Sequence, residues 1–307
     1  MIYDIYQPIK NDTINIVVWF VSNKSRYIKQ ALKFFERSYR RFNLTIAYEN
    51  VVKFEYNGKL LPCIQEGDIK DLKCDLILVA GSENMRNSHI IKQCKKLGIA
   101  IDKILLDRII LTPGFQLEKY RLLQNSNISI FSPNCFGGII SNRLGLPFNS
   151  PLINMFFGSM NSYLRFLESP KEYMGENLVF LRWEYEENLK RNYPVVGLGD
   201  IEIHMNHYPD FETGLKYWEE RKKRINWNNL FVTMYTDIPE EVEVFERLPY
   251  DKKVCFTSFV SDNKSAYYLH SAHGEPTWEI VNSLAFGRRN DYDVFEMLLN
   301  GRKVLNV

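Results

Sequence analysis

The chain has no Cys-x-x-Cys pair, no glycine-rich phosphate loop, no long apolar run and almost no net charge, and each absence removes a class of function. Its five cysteines, Cys63, Cys74, Cys94, Cys135 and Cys255, are odd in number and widely spread. That spacing supplies neither a zinc-ligand pair nor a disulfide framework, so reduced thiols in a cytoplasm are expected and no metal site is. The longest N-terminal apolar run, Ile14 to Phe20, contains Asn15 and is too short for a membrane span or a signal peptide, so neither a span nor export is expected. Lys plus Arg number 39 against 37 Asp plus Glu, and a formal charge of +2 gives no field for nucleic acid or anionic lipid. Nucleic-acid binding is therefore not expected. No internal repeat of useful period is found.

What the chain does have is ordinary globular composition, with 45% apolar and 25% charged residues over 307 positions, enough for about two domains. Ile14 to Val21 reads as a strand, followed by a polar turn and a helix from Tyr27 to Tyr39. Asp75 to Ala80 is a second continuous apolar strand, His89 to Leu97 a helix, and Lys103 to Leu106 a third strand. Continuous rather than alternating apolar strands imply burial on both faces, hence a parallel sheet covered by helices. Asn57-Gly58, inside Val52 to Leu60, signals a hairpin insertion. A short helix over Gln116 to Gln124 leads to polar Asn125-Ser126-Asn127, where the domain seam is placed. The fold class expected is α/β, with a Rossmann-like parallel-sheet domain over 1–125 and a second α/β domain over 126–307. In the second half, helices are expected at Met160 to Leu167, Phe211 to Arg224 and Pro239 to Leu248. Strands are expected at Leu178 to Leu181, Ile201 to Met205, Asn229 to Tyr235 and Lys253 to Phe259.

The first strand is followed by Val21-Ser22-Asn23-Lys24-Ser25-Arg26, without the three glycines that let backbone approach a pyrophosphate, so no dinucleotide cofactor is expected. Gly81-Ser82-Glu83-Asn84, at the carboxyl end of the second strand, is the better phosphate or sugar contact, against the plainer account of an ordinary turn.

The segment most suggestive of chemistry begins at Ser132-Pro133-Asn134-Cys135-Phe136-Gly137-Gly138. Strand residues Ile128 to Phe131 precede it and a helix from Cys135 to Leu144 follows. A thiol at a helix amino end meets unpaired N–H groups and partial positive charge, which favour a thiolate and can hold an oxyanion. Among five histidines, His204 and His207 stand together in Asp200-Ile201-Glu202-Ile203-His204-Met205-Asn206-His207. Alternation puts Asp200, Glu202, His204 and Asn206 on one strand face with His207 at its end. The catalytic set expected is thus Cys135 as nucleophile, His207 as base and Asn134 beside them. The competing account of Cys135 is a small buried apolar side chain. Around Tyr217 to Trp227, helical spacing gathers Trp218, Arg221 and Ile225, and Tyr217, Arg221 and Arg224, into faces able to hold phosphate, carboxylate or a sugar ring. Trp218, Arg221, Arg224, His204 and Asp237 are the substrate-binding candidates.

Several of these motifs resemble, as a set, an uncharacterised bacterial family often labelled exopolysaccharide biosynthesis protein. They are Asn134 to Gly138, Leu144-Gly145-Leu146-Pro147-Phe148-Asn149-Ser150-Pro151 with Asn154, His207-Tyr208, and Trp218 with Arg221, Arg224, Ile225 and Asn226. The resemblance spans Ser132 to Phe259 and implies a link to surface-glycan assembly. The first half also looks like Rossmann-type modules attached to glycan enzymes, and Asn229 to Asp237 is similar to the nucleotide-sugar-binding half of some glycosyltransferases. Three functions are left open: acyl transfer or hydrolysis through a Cys135 thioester, metal-independent transfer from a nucleotide sugar with Arg221, Arg224 and Asp237 at the site, or a non-catalytic glycan-assembly partner. The ligand expected is a glycan or a nucleotide sugar, and the oligomeric state is left open.

Overall fold

The computed structural model describes residues 10–21, 27–48, 53–81, 89–187, 190–269, 276–287 and 292–301. The chain divides into two compact units, 1–121 and 122–307.

In the first unit, β1 (Lys10–Phe20), α1 (Ile28–Ser38) and β2 (Tyr39–Tyr48) are followed by a small hairpin of β3 (Phe54–Tyr56) and β4 (Lys59–Leu61). Then come β5 (Cys63–Gln65), β6 (Leu76–Ala80), α2 (His89–Leu97), β7 (Ile104–Leu106) and α3 (Leu117–Asn125), whose last turns enter the second unit. The main sheet has the order β5-β2-β1-β6-β7, with every pairing parallel. Counted along the chain this is 3-2-1-4-5, five of the six strands of the doubly wound order 3-2-1-4-5-6, which makes the unit Rossmann-like. Val18, Trp19, Leu78 and Val79 are fully buried, as strands covered on both faces require. The expected hairpin closes through Asn57 and Gly58 at φ 51° and 74°, the left-handed pair a two-residue turn demands. The turn candidates Ser82, Glu83 and Asn84 lie outside the described residues.

The strand β2 escapes the sequence reading because Arg40, Arg41 and Asn43 make its first half largely polar and exposed. It follows α1 without a loop, so only its pairing along β1 separates strand from helix.

The second unit opens with β8 (Ser129–Phe131) and α4 (Phe136–Arg143). A long insertion follows: β9 (Phe156–Phe157), α5 (Met160–Glu168), α6 (Pro170–Gly175), β10 (Leu178–Glu186), β11 (Arg191–Leu198), β12 (Ile201–His204) and α7 (Phe211–Lys222). The parallel sheet resumes with β13 (Leu230–Thr236), α8 (Pro239–Arg247), β14 (Lys252–Thr257) and β15 (Ala266–Tyr268), and α9 (Thr277–Ala285) and α10 (Val294–Asn300) complete the unit. Its parallel order is β15-β14-β13-β8, and the insertion forms a separate antiparallel sheet, β10-β11-β12-β9. That second sheet was not legible as such, because Pro194 and Gly197 disguise β11 as loop. Phe131, Phe166, Val196, Ile203, Trp218, Met234 and Phe245 meet in one core between the two sheets and helices α5, α7 and α8.

Candidate functional site

Parallel pairing of β8 with β13 places the residues that follow both strands at one end of the sheet, the carboxyl end where open α/β folds bind ligands. After β8 the chain turns through Ser132-Pro133-Asn134-Cys135 into α4. The turn is held by its own side chains. Ser132 Oγ donates to the Asn134 carbonyl at 2.7 Å and accepts from the Gly137 N–H at 3.0 Å, and Asn134 Oδ1 accepts from the Phe136 N–H at 3.0 Å. Gly137 is required by this closeness, since a Cβ there would lie 3.0 Å from Ile130 and 3.1 Å from Ser132 Oγ.

This geometry corrects the thiolate expectation. The two amino-end N–H groups that would steady a thiolate or an oxyanion are already capped by Asn134 and Ser132. Burial pushes the Cys135 thiol up to about 12, the reverse of activation. No hydrogen bond joins Cys135 Sγ to any described residue. Its sulfur instead lies in electrostatic range of the Tyr208 and Tyr235 hydroxyls, both themselves raised by burial.

His207 is exposed, and its electrostatic neighbours are Arg191 and Glu186. Loss of hydration and the Arg191 charge hold its pKa below the usual histidine value. The chain bends after β12, so His207 lies beyond the end of the strand, and no hydrogen bond or electrostatic contact joins it to Cys135. His204 stays on β12 but belongs elsewhere. Its ring stacks on Phe156 at 4.4 Å, and Nδ1 faces the Tyr193 hydroxyl at 3.2 Å and Glu184 at 3.4 Å. Glu202, on the same sheet face, is held by Arg182. Among the described residues no three of His, Cys, Asp and Glu gather as metal ligands.

The basic helix resolves residue by residue. Trp218 is fully buried in the core and contacts no open site. Arg224 is exposed beyond the end of α7. Arg221, only 5% exposed, donates through Nη1 to the Tyr208 hydroxyl at 2.5 Å and the Ile153 carbonyl at 3.2 Å. The Tyr217 and Phe148 rings lie against its guanidinium at 4.8 and 5.4 Å. It therefore positions Tyr208 near Cys135 rather than facing a ligand. The aromatic and guanidinium residues are thus divided: Trp218 and Arg221 pack inward, while Tyr217 and Arg224 are exposed.

Asp237 does reach the carboxyl end. It follows β13, is exposed, and accepts a short hydrogen bond from Thr277 Oγ1 at the start of α9. One and a half turns on, Asn282 Oδ1 accepts from Asn134 Nδ2 at 3.3 Å. Helix α9 thus ties Asn134 and Asp237 into one rim. Asp237 Oδ2 and Asn282 Nδ2 make no hydrogen bond with a described residue. Trp278, 47% exposed, lies four residues before Asn282 and so on the same side of the helix. Thr277, Trp278 and Asn282 were missed in sequence, and the only signal for them was a polar start, Pro276-Thr277-Trp278-Glu279, to an apolar helix. His270 and His273 lie outside the described residues, as does the His89 side chain.

Residues 107–299, more than half of the chain, match the family described as Domain of unknown function (DUF1919). A relative from Haemophilus influenzae, described as an uncharacterized protein, is 35% identical over 182 residues, covering 57% of this chain and 84% of the relative. Two structures of aspartate semialdehyde dehydrogenase II from Vibrio cholerae, one complexed with ASA, align at 9% and 8% identity with TM-scores of 0.24 and 0.23. Each alignment covers 54% of this chain and 48% or 44% of the dehydrogenase, so the chain spans about half the length of those structures. Scores this low carry no argument about chemistry.

Proposed function

The chain belongs to the DUF1919 family, and we propose that it binds a hydroxyl-rich sugar at the carboxyl ends of β8 and β13, acting in bacterial surface-glycan assembly as a metal-independent transferase on a nucleotide-activated sugar. The observation that carries this reading is the rim in which α9 joins Asn134 to Asp237. A carboxylate and amides suit sugar hydroxyls, each of which both donates and accepts, and the exposed Trp278 ring suits the apolar face of a pyranose. The glycan context rests on the motif resemblance. In the transfer step the acceptor hydroxyl oxygen forms the new glycosidic bond, the bond from the anomeric carbon to phosphate oxygen breaks, and the nucleoside diphosphate leaves. Asp237 Oδ2 takes the acceptor's proton. Acyl transfer through Cys135 is not carried forward, because burial pushes its thiol up to about 12 and no hydrogen bond joins it to a base among the described residues.

Calorimetric titration of the full chain with a panel of nucleotide sugars and free sugars tests the reading. Saturable heat with at least one ligand is expected, together with donor cleavage that Asp237→Asn abolishes while Cys135→Ser and His207→Ala retain it. Absence of heat across the panel ends the proposal.

A further inference from the structure

The antiparallel sheet of the second unit ends on a strand whose outer edge no described residue pairs with, though the Phe180 ring on it meets Phe211 of α7 at 6.0 Å. β10 is nine residues long and, among the described residues, pairs with β11 alone and leaves its other edge open. Exposed edges are normally kept short or blunted by charge or proline, because their unpaired N–H and C=O groups invite another strand. This one carries Val179, Phe180, Leu181, Trp183 and Tyr185, each between 38% and 57% exposed. Five of the exposed large apolar side chains among the described residues therefore fall on a single edge strand, a concentration that marks an interaction surface.

The strand also states which partner it fits. A bulge at Leu181 shifts the register, so that Phe180 faces Val196 and Arg182 faces Val195. Beyond the bulge alternation is regular: Arg182 and Glu184 point to one face, Trp183 and Tyr185 to the other. Arg182-Trp183-Glu184 carries opposite charges placed symmetrically about an aromatic. Turned end for end about Trp183, an identical strand sets Arg182 of one copy against Glu184 of the other, twice, and lays Trp183 on Trp183. Centring the pairing on Arg182 or on Glu184 would instead oppose like charges. Within one copy Arg182 is shared by Glu184 at 2.6 Å and Glu202 at 2.9 Å, so this face carries more carboxylate than guanidinium and attracts a second arginine.

We propose that β10 pairs antiparallel with β10 of a second copy of this chain, about a twofold axis at Trp183, joining the two sheets into one. This surface is separate from the sugar rim, and the two proposals stand or fall independently.

Sedimentation equilibrium of the full chain over a concentration series tests the pairing. The wild-type protein is expected to dimerise. Trp183→Glu, Arg182→Glu and Glu184→Arg should each raise the dissociation constant more than about tenfold, since each removes the central ring pair or opposes like charges. The double variant R182E/E184R restores opposite charges at both positions and should dimerise again. Circular dichroism confirms folding of each variant. Trp183→Glu leaves the Arg182 ion pairs intact and decides the matter should a charge reversal fail to fold. A wild-type chain that stays monomeric throughout, a dimer indifferent to Trp183→Glu, or a folded double variant no tighter than the folded single variants overturns the proposal.

Discussion

Asn134 Nδ2 donates to Asn282 Oδ1 at 3.3 Å across 148 residues of chain, while Asn134 Oδ1 caps the Phe136 N–H. One side chain thus fixes the start of α4 and draws α9 over the carboxyl end of the sheet, where Asp237 waits one strand away. The rim is a product of this crosslink, and its exposed ring, Trp278, is separable from folding.

Trp278→Ala should therefore weaken sugar binding with little change in thermal midpoint, whereas Asp237→Ala should weaken binding and also lower the midpoint somewhat, because the buried Thr277 hydroxyl loses its acceptor. Removing a charged hydrogen-bond acceptor costs about 1.5–3 kcal/mol, or roughly tenfold to a hundredfold in affinity. Calorimetry beside a melting curve separates the two effects. A loss of stability equal to the loss of binding free energy would assign both residues to the scaffold.

Cys135 should react slowly with iodoacetamide at neutral pH, since its thiol is raised from 9.0 to about 12 by burial. The folded state holds a proton that the unfolded chain releases, so stability is full below 9.0 and falls as pH rises toward about 12. Urea midpoints at pH about 8 and about 10 should differ less in Cys135→Ser than in the wild type. Labelling of Cys135 as fast as of a free thiol would reverse the assignment.

The His204 ring is expected to give the opposite slope. Burial lowers its pKa from 6.5, outweighing the attraction of Glu184. Its contribution is full above 6.5 and declines as pH falls below that value, because the unfolded chain takes up the proton first. His204→Gln should flatten the acid side of the stability profile. Unchanged slope in that variant would place the titration elsewhere.

Tyr208→Phe removes the hydroxyl that donates to the Ile153 carbonyl at 2.9 Å and receives Arg221 at 2.5 Å. It should cost about 1–3 kcal/mol, as expected when buried polar partners are left unpaired. Chemical denaturation measures it, and a neutral result would mean that Arg221 rebonds elsewhere.

Much of the scaffold could be read from the chain. Fully apolar Leu76–Ala80 and the β-rich run Leu230–Thr236 read as strands buried on both faces, and Asn57-Gly58 has one favoured turn. Asn134 and Asp237 stand out in the chain as polar residues soon after apolar strands, and α9 joins them in the structure. For Cys135 and His207 residue type and order say nothing of surroundings: burial raises the thiol, and the imidazole, beyond the end of β12, has Arg191 and Glu186 as its electrostatic neighbours.

The sequence alone determined a parallel α/β architecture and an inventory poor in histidine and free of paired cysteines, since periodicity and composition are local properties. Only the tertiary structure decided which polar groups share a rim, that Cys135 loses its hydration, and that Arg221 is closed between Tyr217 and Phe148. Each of those depends on desolvation and on contacts between segments far apart in the chain, and both arise only when the helices settle on their sheets.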